Sequence, residues 1–535
     1  MSATLTTPST CINNDAATRP IKHSRGLLRR VIPAANAIFL GHAIVRIGSL
    51  ILVPLFLRYW SAPRYGEYVA LFAAVAYLSS LDVGMQWATV NRLTQAYARG
   101  DHDDYQKVQH TAIVFYVLLA VAVTAGVAAL VWFLPVTRWI GLRLTPSPTA
   151  SIAIIFLAAY VMWSMPMRLL CATYQTMGNL ARTQWIANIQ QVLTVVLTAA
   201  ALLLGRGIVA IAVLQLLTVA FVIAYVLAHL RRHAPALLPA FNKATITVLK
   251  ELARPSALFA LLVIGNLVAY QGSTLLVSAT LGGLAVAVLS ISKAIIEVVR
   301  QSLYSVNLAL CPDFARMEAL GEFEQLRRVH RLTVAAVAAI SIAVTAAVWY
   351  EGGLIISVWT RGRIEPDITL LRLFLVLMVL QTPWAASSTV ATATNRHHAQ
   401  AIGYFFAAVI GVGMVGLLVH RLGTWAVPLG LTIGEAVACY HFVIRASCRI
   451  IGEHYGRFAT RFWLGFVATF VAALTTAWAV HTFTPGPFLL RWLAMGIATT
   501  AVASVSGWFV WLTSADRELL LPKLRPVLVL CGIKM

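Results

Sequence analysis

TAIVFYVLLAVAVTAGVAALVWF (111–133) is 23 residues long and holds no charged side chain. At 1.5 Å per residue a helix of that length crosses the roughly 30 Å hydrocarbon core of a bilayer. It lacks the two-residue alternation of a barrel strand, and in lipid only helices or closed barrels satisfy every backbone N–H and C=O. The run reads as a transmembrane helix. Working outward, similar apolar runs bounded by charged or Pro/Gly-rich breaks begin near Ala34, Tyr68, Thr111, Ser151, Trp185, Val209, Ser256, Leu284, Leu332, Thr369, Ala399, Trp425, Phe462 and Phe488. Composition agrees: 535 residues that are 60% hydrophobic and 11% charged, with a mean hydropathy of +0.80, exceed what a water-soluble fold of this size can bury. The expected fold class is all-α, a polytopic membrane protein of about fourteen transmembrane helices.

Charge orients the helices. Placing the tail 1–33, the loops near 91–110, 176–184, 231–255, 312–331, 392–398 and 445–462, and the tail from 514 on one side collects 27 of the 41 basic residues, against nine in the opposite loops. The remaining five, Arg46, Arg168, Lys293, Arg300 and Arg372, fall inside spans. Cytoplasmic loops carry the Lys/Arg excess, so both termini are expected in the cytoplasm. The same asymmetry accounts for most of the net charge of +22, and no nucleic-acid partner is needed to explain it. The first 33 residues, rich in Thr, Asn and Arg, read as a cytoplasmic tail and not as a cleaved signal peptide. The six cysteines are scattered without a CxxC pair or a histidine at ligand spacing, so they read as inert and no metal site is expected.

The chain repeats itself. Thr176, Asn179, Gln184 and Ile186 recur in type and spacing as Thr392, Asn395, Gln400 and Ile402, displaced by 216 residues. The stretch 98–110 is echoed by 319–330, displaced by 221, with Gly100 aligned on Gly321. A polar triad in the first span, His42, Arg46 and Ser49, has a counterpart in Asn266, Tyr270 and Ser273, displaced by 224. The expected division is a tail (1–33), an N-terminal six-helix lobe (34–230), a cytoplasmic linker (231–255), a second six-helix lobe (256–448), two appended helices (449–513) and a cytoplasmic tail (514–535). An even number of spans per half makes the repeats parallel, related by a pseudo-two-fold axis along the membrane normal.

PLFLRYWSAPRYGEY (54–68) and LDVGMQWATVNRLTQAYARGD (81–101) resemble the opening of the O-antigen and exopolysaccharide flippases, within the multidrug/oligosaccharidyl-lipid/polysaccharide exporter superfamily. Tyr65, Gly66 and Tyr68 match that family's YGxY-like turn, and Asp82, Gly84 and Arg92 its D-x-G step with a following basic residue. The resemblance implies alternating access by two lobes in the bacterial inner membrane, with an undecaprenyl-diphosphate-linked oligosaccharide as cargo. It also implies membrane lipids and a polysaccharide polymerase or export machinery as partners. No cofactor is implied beyond a coupling ion, H+ or Na+.

An ionisable group at bilayer depth is costly, so it faces a water-filled cavity or a partner. Lys293, Glu297, Arg300, Tyr304 and Asn307 are spaced to lie on one face of the eighth span. That face is read as a cavity wall where Lys293 and Arg300 meet a diphosphate while Glu297 holds Lys293 or titrates; the alternative is a neutralised pair that packs two helices. Arg46, near the middle of the first span with His42 on its face, contacts cargo or pairs with Asp82, Glu297 or Glu435 across the bundle. Asp82 and Glu435 are candidate sites for the coupling ion or for helix packing. His42, Asn266 and Tyr270 are expected to add polar cavity wall. Arg168 and Arg372 read as snorkelling to the headgroups, and His397 and His398 as solvated.

Two rivals share the superfamily. A multidrug/cation antiporter usually stops at twelve spans, whereas a lipid II flippase also has fourteen. A membrane-embedded polysaccharide polymerase or glycosyltransferase would need a sizeable outer loop for its catalytic groups, and the longest loops here run near 135–150 and 351–368. No Walker A, GxSxG or HExxH pattern occurs, so the chain is not expected to be an enzyme.

Overall fold

The computed structural model describes residues 24–511, except 83, 254–256 and 395, together with Arg517. The expected tail 1–33 is thus described from Ser24 onward, and the C-terminal tail lies outside the described residues apart from Arg517. Every regular element among the described residues is helical. Ten segments are long and apolar enough to cross a membrane, and one of them, His398–Ile451, folds back on itself as a pair. The three remaining traverses are span 1 (Ser24–Tyr59), a broken span 2 and the charged span 8 (Gly283–Ala319), which brings the total to fourteen.

Span 2 is broken where its sequence stops favouring an α-helix. Ala62–Ala76 gives way to a 3-10 stretch at Tyr77–Asp82, where Ser79 and Ser80 hydroxyls donate to the carbonyls of Ala76 and Tyr77 at 2.7 Å. The helix resumes over Met85–Arg99, with Gly84 at φ 74°. Spans 3 to 6 are His102–Phe133, Ser147–Thr176, Leu180–Leu203 and Ile208–His233. Span 7 comprises Ala257–Leu267, a π-turn at Val268–Gly272 and Ser273–Leu281. Spans 9 to 11 are Phe323–Thr360, Ile368–Ala393 and His398–Leu422; span 12 is Ala426–Ala438 continued by Phe442–Ile451; spans 13 and 14 are Tyr455–Phe483 and Phe488–Val510.

The packing repeats with an offset of six spans. Span 1 lies on span 5 as span 7 lies on span 11, and span 3 on span 4 as span 9 on span 10. Interior prolines fall at matching places, Pro166 in span 4 and Pro383 in span 10. Spans 2 and 8, counterparts in their halves, pack on each other and join the lobes.

The linker is not plain loop. Its helix Ile246–Ala253 lies against spans 2 and 3, tied by Glu251 to Arg92 at 2.5 Å, and Lys243, three residues before the helix, pairs with Asp103 at 2.8 Å. Spans 13 and 14 are fastened to the second lobe through buried Glu351 of span 9. Its carboxylate takes Arg491 Nε at 2.5 Å, Arg491 Nη2 at 3.1 Å and His481 Nδ1 at 2.9 Å. The loops bearing most of the basic residues gather at one end of the bundle, called here the basic face.

Candidate functional site

Span 8 carries the charges, and its neighbours decide how they are used. Arg300 forks onto Glu297 one turn earlier, Nε at 2.8 Å and Nη2 at 2.5 Å. This two-point pairing corrects the expectation that Glu297 holds Lys293. The Lys293 ammonium turns instead to span 7, donating to the Tyr270 carbonyl at 3.1 Å and the Thr274 hydroxyl at 3.3 Å. Both cations stand over the Tyr270 ring, Arg300 at 4.6 Å and Lys293 at 5.2 Å from its centroid, a favourable electrostatic contact with the π face. The Tyr270 carbonyl, in the π-turn, also accepts from Ser273 and Thr274 hydroxyls at 3.2 and 2.8 Å.

Glu297 and Arg300 border a cavity of about 430 Å³ walled by spans 7 to 11, while Lys293 and Tyr270 line a small pocket beside it. Asn266, Glu297, Arg300, Gln381, Trp384 and Tyr404 form its inner polar wall. Tyr304, 57% exposed, and buried Asn307 line it further along span 8, and Ser388 and Gln400 carry it toward the basic face. The Asn307 side-chain oxygen is buried without a hydrogen-bond partner among the described residues. Glu435 sits behind this wall on span 12, buried, accepting from Gln381 Nε2 at 2.6 Å and Trp384 Nε1 at 3.0 Å. Gln381, Trp384 and Tyr404 escaped sequence reading; the polar QTPW interruption (381–384) in the apolar tenth span was the signal.

The first lobe contributes one cation. Arg46 carries no ion pair among the described residues, and its charge acts on Glu297 across the lobe boundary. The side chain of His42 lies outside the described residues. Asp82 does not join this cluster. It accepts from the Tyr116 hydroxyl and from the Gln86 amide at 3.3 Å, and it feels the charge of Arg168. Arg168 faces a second cavity with Gly41, Cys171 and Gln184, which corrects its reading as a snorkelling residue. Arg372 donates to the Trp349 carbonyl at 3.2 Å and stacks over that ring. His397 is buried, 5% exposed, against the expectation of a solvated residue.

At the face opposite the basic one the lobes are shut. Gly66 of the YGEY segment, in the first turns of span 2, meets Gly283 so closely that a Cβ on Gly66 would lie 1.7 Å from the Gly283 carbonyl oxygen. Nearby, Trp359 Nε1 donates to the Leu50 carbonyl at 2.9 Å, and Arg363 donates to the Leu57 carbonyl. Buried Glu67 pins the loop after span 3, accepting from the amides of Arg143, Leu144 and Thr145 at 2.6, 2.7 and 2.9 Å and from the Thr145 hydroxyl at 2.6 Å. Sequence reading expected a YGxY turn ahead of a span beginning near Tyr68; these residues instead lie within the helix Ala62–Ala76, and the glutamate among them was passed over.

No protein-family model and no curated protein matches this sequence. Solved structures do. An inward-facing multidrug resistance MATE family transporter of the MOP superfamily superposes with a TM-score of 0.67 at 17% identity, covering 78% of this chain and 98% of its own. The lipid II flippase MurJ in an inward closed conformation gives 0.66 at 13% identity, covering 88% and 98%. A MATE family transporter in its outward-facing conformation gives 0.54 at 18% identity, covering 79% and 95%. These neighbours are transporters and flippases, not enzymes. The chain is a multi-pass membrane protein whose helical fold is like that of these transporters.

Proposed function

We propose that the chain is a flippase that carries an undecaprenyl-diphosphate-linked oligosaccharide, an O-antigen or exopolysaccharide repeat unit, across the bacterial inner membrane by alternating access. The observation that carries this reading is Arg300, forked onto Glu297 at the inner wall of an amide- and aromatic-lined cavity, with Lys293 held two turns away on the same face of span 8 and the charge of Arg46 acting on the same carboxylate. Cation in excess of carboxylate suits a diphosphate, and amides with stacked rings suit sugars. The basic face is cytoplasmic in this reading, both termini included, so the open cavity faces the side where cargo is made. The MurJ structure accounts for more of this chain than the MATE structures do, which favours the fourteen-span flippase plan. Glu297, Glu435 and Asp82 are the carboxylates available to a coupling H+ or Na+, and a polymerase or export machinery is the partner downstream.

The test is export of lipid-linked glycan in a strain lacking its own flippase. Arg300→Lys keeps the charge but loses the planar fork, and it should impair export at normal protein level. Exchanging Lys293 and Glu297 moves the cation one turn; export at the wild-type rate by the swapped protein would exclude Lys293 from cargo binding.

A second reading is favoured by one feature. Glu435, buried behind Gln381 and Trp384, presents a carboxylate near aromatic walls, as a site for an organic cation would. Drug efflux lost in Glu435→Gln, with glycan export absent in the wild type, would assign the chain to cation antiport. Complementation of a lipid II flippase deletion would assign that cargo instead.

A further inference from the structure

Spans 5 and 6 turn two apolar stripes outward side by side. On span 5 Trp185, Ile189, Val192 and Val196 are exposed at helical spacing, and on span 6 Leu217, Phe221 and Tyr225. At the basic face each stripe ends in basic groups on the same helix face: Arg182 three residues before Trp185, and His229 four residues after Tyr225, followed by His233.

Aromatic rings hold these groups in place. The Arg182 guanidinium lies 4.8 Å over the Tyr174 ring, and its Nη2 donates to the Tyr225 hydroxyl at 3.4 Å. His229 Nδ1 pairs with the Tyr174 hydroxyl at 3.0 Å, and the His229 and His233 rings stack at 4.2 Å.

What the cluster lacks is an anion. Several other cations at this face are matched: Arg92 by Asp104 and Glu251, Lys107 and Lys243 by Asp103, Arg327 by Glu324, Arg331 by Glu453, Arg396 by Glu318. Arg182 has no carboxylate partner among the described residues, and it sits in the first turn of span 5, whose dipole already disfavours a cation. A guanidinium held in place beside imidazole hydrogen-bonding groups, above a lipid-facing furrow of aromatic and branched side chains, has the outline of one lipid, head above and acyl chain below.

We propose that this corner binds the phosphate of an anionic phospholipid, with the headgroup against Arg182 and His229 and an acyl chain along Trp185, Ile189, Phe221 and Tyr225. The Arg182 guanidinium recognises the phosphate charge and the His229 imidazole offers a hydrogen bond, and basic pockets between membrane helices bind anionic headgroups by the same chemistry. The site lies on the outside of the first lobe and is separate from the cargo cavity, so it stands whichever cargo is carried.

Purified full-length protein, stripped of lipid in a neutral detergent, is titrated with dioleoyl phosphatidylglycerol or dioleoyl phosphatidylcholine, and bound lipid is counted by native mass spectrometry. Wild type is expected to hold phosphatidylglycerol about tenfold more tightly than phosphatidylcholine, and R182Q/H229Q to lose that preference, as removal of a charge-assisted hydrogen bond predicts. Arg182→Lys, which keeps the charge, should retain most of it, and circular dichroism checks that each variant is folded. Undiminished phosphatidylglycerol binding by the double variant, or an equal loss for both lipids, overturns the proposal. Undecaprenyl diphosphate displacing phosphatidylglycerol at a smaller molar ratio also overturns it, because the phosphate recognised would then be the cargo's.

Discussion

Replacing Gly66 with alanine is expected to prise the lobes apart at the face where they now touch. The new Cβ would fall 1.7 Å from the Gly283 carbonyl oxygen, where ordinary contact begins at 3.4 Å, so spans 2 and 8 must separate by the difference, about 1.7 Å. Backbone stands on both sides, and no side chain can rotate out of the way. Overpacking of this kind costs about 1–3 kcal/mol, and it falls on the closed arrangement alone because the open one parts these helices. The lobe equilibrium should therefore move about 5- to 150-fold toward opening at this face. Spin labels at Arg138 and Glu365, exposed loop residues of the two lobes on that face, would report the distance by electron–electron resonance in reconstituted protein. Gly66→Ala should add a longer-distance population. Gly126→Ala, which meets open space, should leave the wild-type distribution unchanged. A Gly66→Ala distribution that superimposes on the wild type in folded protein would refute the assignment of this contact as the gate.

Three further outcomes are expected. Glu67→Ala strands the amides of Arg143, Leu144 and Thr145, costing about 1.5–3 kcal/mol for the charge-assisted bonds, seen as a lower melting temperature and faster proteolysis of the loop 134–146; unchanged cleavage would deny Glu67 a role in pinning it. Arg491→Leu leaves Glu351 buried beside His481 alone and should cost about 3–5 kcal/mol, whereas Glu351→Leu combined with Arg491→Leu should recover most of that stability; an equally damaged double variant would mean the leucines themselves do not fit. An alkaline-phosphatase fusion at Asp367 should be active and one at the C-terminus inactive, and the reverse pattern would sink the charge-derived topology.

Helix number and the repeat were legible because lipid allows little else. Each apolar run had to become a helix, and the matched spacing around Asn179 and Asn395 pointed to two like halves. The striped face of span 8 was legible for the same reason, since five polar residues in a lipid-length helix must turn inward. Partner choice was not. Lys293 and Arg300 are four and three residues from Glu297, both within reach on one helix, and the decision rests on Tyr270 and Thr274 of span 7, 23 and 19 residues from Lys293. Arg168 misled because proximity to a helix end suggested the headgroups, whereas a cavity between spans 1, 4 and 5 reaches that depth. Gln381, Trp384 and Tyr404 carry no charge, so the QTPW interruption alone pointed to the first two, and their role follows from the buried Glu435 to which Gln381 and Trp384 donate.

The π-turn at Val268–Gly272 bears on how a buried ammonium can be held ready without being locked in place. The Tyr270 carbonyl accepts from Lys293 and also from the hydroxyls of Ser273 and Thr274. If Lys293 swings to an incoming phosphate, the oxygen it leaves is still hydrogen-bonded, and Thr274 keeps a carbonyl to donate to. Neither departure nor return strands a polar atom in a dry interior, where each would cost about 1–3 kcal/mol. The lysine is thus parked on a berth that stays filled when it is empty of its charge, and exchange with a passing anion needs little more than a change of rotamer.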